Sequence, residues 1–140
     1  HWIWGKLNVH YRVTGNKGEK PIVLIHGFGA SCDHWRYNAD PLASNGYQVY
    51  AIDLIGFGRS DQLLQGKGKN LDNYFWAKQL AAFLEEVVDY TFSKYKKFED
   101  LHIIFPNRRA GIYFQKALSK KIDNVKSFVQ ETVEKYGAVD

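Results

Sequence analysis

One hundred and forty residues, 45% apolar and 16% aromatic, suffice for one packed domain and exclude a disordered chain. Nineteen Lys and Arg against 15 Asp and Glu leave a net charge of +4, spread as eight basic and five acidic residues over 1–70 and eleven and ten over 71–140. No basic tail argues for nucleic acid, a single cysteine excludes an internal disulfide or a Cys-rich metal site, and no apolar run nears the roughly 20 residues of a membrane helix.

Trp2–Val13 alternates as a strand, with Val9, Tyr11 and Val13 on one face and Gly5 available for a turn. Gly15–Lys20 is a polar loop. Pro21–Ile25 is continuously apolar, the pattern of a parallel strand covered on both faces. A Gly-rich loop, His26–Ala30, leads to a helix that Ser31 or Asp33 caps and that runs to about Ser44, where Asn45-Gly46 stops it. Tyr47–Ile52 is the next strand. Gly56–Lys69 is a loop rich in Gly, Lys and Gln.

Helix is expected from about Leu71, with Phe75, Leu80, Phe83, Leu84, Val87 and Val88 on its apolar side, continuing or restarting over Tyr90–Phe98. Leu101–Phe105 is a buried strand, and Ile112–Ile122 and Val125–Tyr136 are amphipathic helices. Strands alternating with helices predict an α/β fold. It is a three-layer sandwich around a mostly parallel sheet of about five strands, the first strand pair antiparallel, forming a single domain over 1–140. An exposed edge beside Leu101–Phe105 would favour a homodimer.

Residues 1–88 resemble the N-terminal half of an α/β-hydrolase of the esterase, haloalkane-dehalogenase and pheophytinase-like kind. The text that carries the resemblance is WIWGKLNVHYRVTG, PIVLIHGFGASCDHWRYNADPLASNGYQVYAIDLIGFGRSD and WAKQLAAFLEEVV. It implies that the sheet follows hydrolase order. It also implies that His26, Gly27, Phe28 and Gly29 form the oxyanion loop, with the Phe28 main-chain N–H facing the substrate oxygen, and that Asp53 is structural. Backbone donors aimed at developing negative charge contribute several kcal/mol to acyl transfer. The family then sets its serine on a strand, turn and helix reading about G-N-S-x-G-G. Here the turn reads Pro106-Asn107-Arg108-Arg109-Ala110-Gly111, which puts Arg108 in the serine's place.

Residues 91–122, containing FPNRRAG, resemble the start of the inactivated-helicase, nuclease-type subunit of bacterial double-strand-break repair. Residues 125–140 resemble a helix of short-chain dehydrogenases. Three resemblances in one chain without methionine point to a chimeric, engineered or computed sequence, with 89–140 grafted onto 1–88.

Among candidate sites, Arg108 and Arg109 with Gly111 mark a helix start that can take phosphate, or are solvated, or pair with Asp53 or Asp61. Gly27-Phe28-Gly29 lacks the third glycine of a dinucleotide loop, Cys32 standing there, so no cofactor is expected. His26 reads as a loop-shaping residue and not a base. Ser31, Asp33 and His34 read as helix-capping residues, and Cys32 as a structural cysteine or a somewhat acidic thiol. The histidines show no metal spacing. His1, Trp2 and Trp4 are packing residues or vector remnants.

The resulting expectation is a cytoplasmic, non-catalytic scaffold, not an enzyme, binding at most an anion or a small apolar ligand. Two alternatives stand beside it: a weak ester hydrolase working through His26–Gly29, with Cys32 or a histidine as improvised nucleophile, and a phosphate- or nucleotide-binding module at Arg108–Gly111.

Overall fold

Strands β1 (Trp2–Trp4) and β2 (Leu7–Val9) pair antiparallel, Trp2 opposite Val9, in a computed structural model that describes residues 1–63, 71–91 and 101–118. Gly5 turns this hairpin with φ at +64°, a conformation costly for any residue with a Cβ. At His10 the chain leaves the hairpin: its N–H donates to the Ser60 hydroxyl, and its carbonyl accepts the Asp53 N–H. That break undoes the expected alternation, so Val9 is buried while Val13 is exposed.

Strand β3 (Tyr11–Thr14) runs antiparallel to β5 (Tyr47–Ile52). Strand β4 (Lys20–Ile25) lies parallel to β5 on one side and to β6 (His102–Ile104) on the other. The order β3-β5-β4-β6 is the mixed, mostly parallel sheet that the sequence predicts, antiparallel at its first strand. Among the described residues this sheet holds four strands, and β1 and β2 form a two-stranded sheet of their own.

Continuously apolar strands bury both faces. Toward helix α2 (Asn73–Thr91), Val23, Ile25, Ile52 and Ile103 pack with Leu80, Phe83 and Leu84. Trp2 and Trp4 lie against Phe83 and Phe75 of the same helix, so the N-terminal tryptophans are packing residues. On the opposite face Ile22, Leu24, Val49 and Ala51 pack with Cys32 and Trp35.

The helix expected from Ser31 to Ser44 is two pieces, a 3-10 turn (Cys32–Trp35) and α1 (Ala39–Ser44). Pro41 has no N–H to give the Tyr37 carbonyl, so a continuous helix cannot pass through it. Ser31 does cap the first piece, its hydroxyl accepting the Asp33 N–H at 3.3 Å.

Helix α3 (Arg108–Leu118) starts before the expected Ile112 because Asn107 caps it. The Asn107 Oδ1 accepts the Ala110 N–H at 2.8 Å, and its carbonyl accepts the Gly111 N–H at 3.2 Å. Among the described residues no helix is long and apolar enough to cross a membrane. The predicted helix over 125–136, the stretch 92–98 and residues 64–69 of the 56–69 loop lie outside the described residues.

Candidate active site

The loops that leave the carboxyl ends of β4, β5 and β6 meet around one cavity of about 250 Å³. The first contributes His26, Gly27 and Phe28, the second Leu54 and Phe57, and the third Pro106 and Asn107, with Arg109 and Ala110 added by the first turn of α3. Trp76 of α2 closes one wall. Open parallel sheets place ligands at this end because their loops converge there.

His26 holds the first loop in shape. Its Nε2 accepts the Leu54 N–H at 3.0 Å, and its Nδ1 lies 2.8 Å from the Gly27 carbonyl, so the proton sits on Nδ1. Burial lowers its pKa, which keeps the ring neutral. Both ring nitrogens are committed, so His26 is not available as a base. Phe28 projects outward, 89% exposed, and no acceptor among the described residues takes its main-chain N–H.

Asp53 anchors the second loop. Its carboxylate accepts the Cys32 N–H at 2.6 Å, the Arg59 N–H at 2.9 Å and the His10 ring Nδ1 at 2.9 Å. Burial alone would raise its pKa, but these donors together hold it below the ordinary value. Gly58, at φ +55°, passes so close to the Asp53 carboxylate that a Cβ there would collide with it. Ser60 donates to the Asp53 carbonyl at 2.7 Å. The Asp61 carboxylate accepts the Asn8 N–H at 2.8 Å.

The far side of this loop is held by α2. Gln79, fully buried, accepts the Ile55 N–H through Oε1 at 2.9 Å, and the Trp76 indole donates to the Ile55 carbonyl at 2.8 Å. Sequence reading missed Gln79. Its signal is a polar residue one step from Leu80 on the buried side of an amphipathic helix.

The fold also brings together His10, Cys32 and Asp53, whose donor atoms lie within 4.8 Å of one another, although their spacing shows no metal pattern. Cys32 Sγ is 3.8 Å from His10 Nδ1, the nitrogen already bonded to Asp53. Burial, with Asp53 beside it, pushes the Cys32 thiol up to about 12. A buried, protonated thiol away from the cavity lining is not an acidic thiol, and it is not the improvised nucleophile that sequence reading allowed.

The turn after β6 places Arg108 and Arg109 on the surface, Arg109 at the cavity rim, with Gly111 buried. The carboxylates of Asp53 and Asp61 are held by Asn8, His10, Cys32 and Arg59, not by these arginines. No non-glycine residue has positive φ among the described residues, so the turn lacks the strained geometry that projects a nucleophile from an elbow. Of the N–H groups at this helix start, that of Ala110 is taken by the Asn107 side chain.

Residues 20–104 match the alpha/beta hydrolase fold family. The chain belongs to that family. It is 32% identical over 112 residues to the dihydrolipoyllysine-residue acetyltransferase component of the acetoin cleaving system of Cupriavidus necator, covering 80% of this chain and 26% of that protein. It is 48% identical over 56 residues to a haloalkane dehalogenase of Mycobacterium marinum, covering 40% of this chain and 19% of that protein. Among solved structures, the thioesterase domain from the curacin biosynthetic pathway superposes with a TM-score of 0.68 at 22% identity, covering 86% of this chain and 38% of that one. This chain thus spans about a quarter or less of these two curated relatives.

Family membership corrects two expectations. Relatives such as the haloalkane dehalogenase are enzymes, which overturns the reading of the chain as a non-enzyme and conflicts with a synthetic, non-catalytic scaffold. The family match also continues through Ile104, past residue 91, where the resemblance to a repair subunit was read to begin.

Proposed function

We propose that the chain supplies the oxyanion-loop side of a hydrolase site that acts on ester-type carbonyl compounds. The observation that supports this reading is the Phe28 main-chain N–H, unclaimed by any acceptor among the described residues, on a loop that lines the cavity. A substrate carbonyl oxygen seated there gains a donor whose interaction strengthens as the oxygen becomes negative. His26 fixes the loop from behind and takes no part in proton transfer.

Water adds to the carbonyl carbon, the tetrahedral oxyanion rests on the loop donor, and collapse releases an acid and an alcohol. No Ser-His or Cys-His pair lines the cavity among the described residues. The chemistry available from these residues is therefore polarisation and placement, and turnover by them is slow. Removing a nucleophile still leaves the enhancement due to the oxyanion hole and binding, about 10³-fold over water.

The test is hydrolysis of p-nitrophenyl butyrate by the purified protein, its Phe28→Pro, Phe28→Ala and Cys32→Ala variants, and a denatured control. Phe28→Pro removes the N–H, and the expected loss in kcat is about a hundredfold or down to background. Phe28→Ala keeps the N–H and retains kcat, and Cys32→Ala leaves kcat and KM unchanged. Turnover no faster than the denatured control overturns the reading, as does turnover indifferent to Phe28→Pro.

A further inference from the structure

Phe28 brings two different groups to one place. Its main-chain N–H has no acceptor among the described residues, and its side chain, 89% exposed, leaves most of its ring for a ligand to cover. Both belong to one residue, so a ligand that uses both must carry its carbonyl within a few bonds of its own apolar group. Behind Phe28 the cavity continues in rings: Phe57 lies 5.4 Å from Phe28, centroid to centroid and edge-to-face, and Trp76 lies 5.6 Å from Phe57. An apolar cavity of roughly 150 Å³ takes benzene. At about 250 Å³ this one has room for a ring and a short substituent.

Charge narrows the choice further. None of the described lining residues is acidic, and Arg109 at the rim is already engaged within the protein. His26 is neutral because burial disfavours its charged form, and both its ring nitrogens are committed to Leu54 and Gly27. The Trp76 indole N–H is spent on the Ile55 carbonyl, and the Asn107 Oδ1 on the Ala110 N–H. A carboxylate or an ammonium entering here would leave water without a counter-charge to receive it, which disfavours ions of either sign. A neutral ligand with one acceptor meets the Phe28 N–H and apolar walls.

We infer that the cavity selects small, uncharged aryl carbonyl compounds, the ring against Phe28 and the Phe57–Trp76 wall and the carbonyl oxygen on the Phe28 N–H. This rests on the cavity assigned above as the hydrolase site and names the substrate class it would take, aryl and arylcarbonyl esters ahead of alkyl ones. It makes the Phe28 side chain a specificity-determining group, separate from the oxyanion donor on the same residue. Ring-on-ring contact supplies the preference over a saturated ring of the same size, and the lack of a free counter-charge supplies the discrimination against ions.

A ketone carries the carbonyl but cannot be hydrolysed, so binding is read without turnover. The protein is titrated with acetophenone, cyclohexyl methyl ketone, benzoate and benzylamine while the Trp76 indole and Phe28 amide signals are followed by NMR. Acetophenone is expected to shift both signals saturably. Cyclohexyl methyl ketone should bind about fivefold more weakly. Benzoate and benzylamine should each bind at least about tenfold more weakly than acetophenone. Phe28→Leu, a surface change that keeps the N–H and an apolar side chain, should bring acetophenone down to the level of the saturated ketone, read at the Trp76 indole. Equal binding of the two ketones overturns the inference, as does benzoate or benzylamine binding as tightly as acetophenone, or a ketone preference that survives Phe28→Leu. If the ketones behave as expected and p-nitrophenyl butyrate is not turned over, the ligand class stands and the hydrolase reading falls. Turnover with the two ketones bound alike would mean the reverse.

Discussion

The Nε2 of His26 accepts the Leu54 N–H at 3.0 Å, joining the loop after β4 to the loop after β5 directly behind the cavity. That bond exists only while Nε2 carries no proton. A histidine whose folded pKa lies below its unfolded value of about 6.5 contributes stability that is fully present above that value and is lost as pH falls through the folded pKa. Thermal melts between pH 8 and pH 4.5 should therefore show Tm level at the alkaline end and declining below about pH 6.5. His26→Gln should start lower and decline less over the same interval. An unchanged slope in the variant would mean that another group drives the loss.

Asp53 and Gly58 form the second joint. Asp53→Asn places an amide N–H against backbone donors, and the expected cost is about 3 kcal/mol, measured by urea unfolding. Gly58→Ala forces a Cβ into the same carboxylate from a positive-φ position, with an expected cost of about 2 kcal/mol or more. Because the folded pKa of Asp53 is depressed, its contribution holds above the ordinary carboxylate value of about 3.9 and is lost as pH falls through the folded one. That acid-side loss should be absent from Asp53→Asn. Equal acid sensitivity of both proteins would contradict the assignment.

Cys32 should be nearly inert in the native state. With its thiol pushed up to about 12 and its side chain buried, reaction with Ellman's reagent at pH 8 should be at least about a hundredfold slower than in guanidinium chloride. A native rate close to the denatured one would show that the thiol is accessible and ionised, and would reopen its use as a nucleophile.

The main strands were legible because the information is local. An unbroken apolar run such as Pro21–Ile25 can only be a covered strand or a buried helix segment, and the flanking Pro and Gly-rich loop decide for the strand. The break between Trp35 and Ala39, where Pro41 can give no helical bond to the Tyr37 carbonyl, was equally local and was passed over, since the helical pattern on either side was read as one element. The start of α3 was misplaced because the Asn107 cap fixes a helix whose first turn is charged and lacks apolar periodicity.

By itself the chain's text determined the α/β alternation, the continuously apolar strand Pro21–Ile25 and the Gly-rich loop that follows it. Each of these is a property of residues within a few positions of one another. Only the tertiary structure decided that His10, Cys32 and Asp53 meet, and that Gln79 holds the backbone of Ile55. It also decided that Phe28, Phe57, Trp76 and Arg109 share one cavity. The partners in these hydrogen bonds are 21 to 43 residues apart. Hydrophobic periodicity says which face of a strand or helix is buried, but not which loop ends converge above the sheet. That convergence follows from the order β3-β5-β4-β6, which is set by the packing of whole elements.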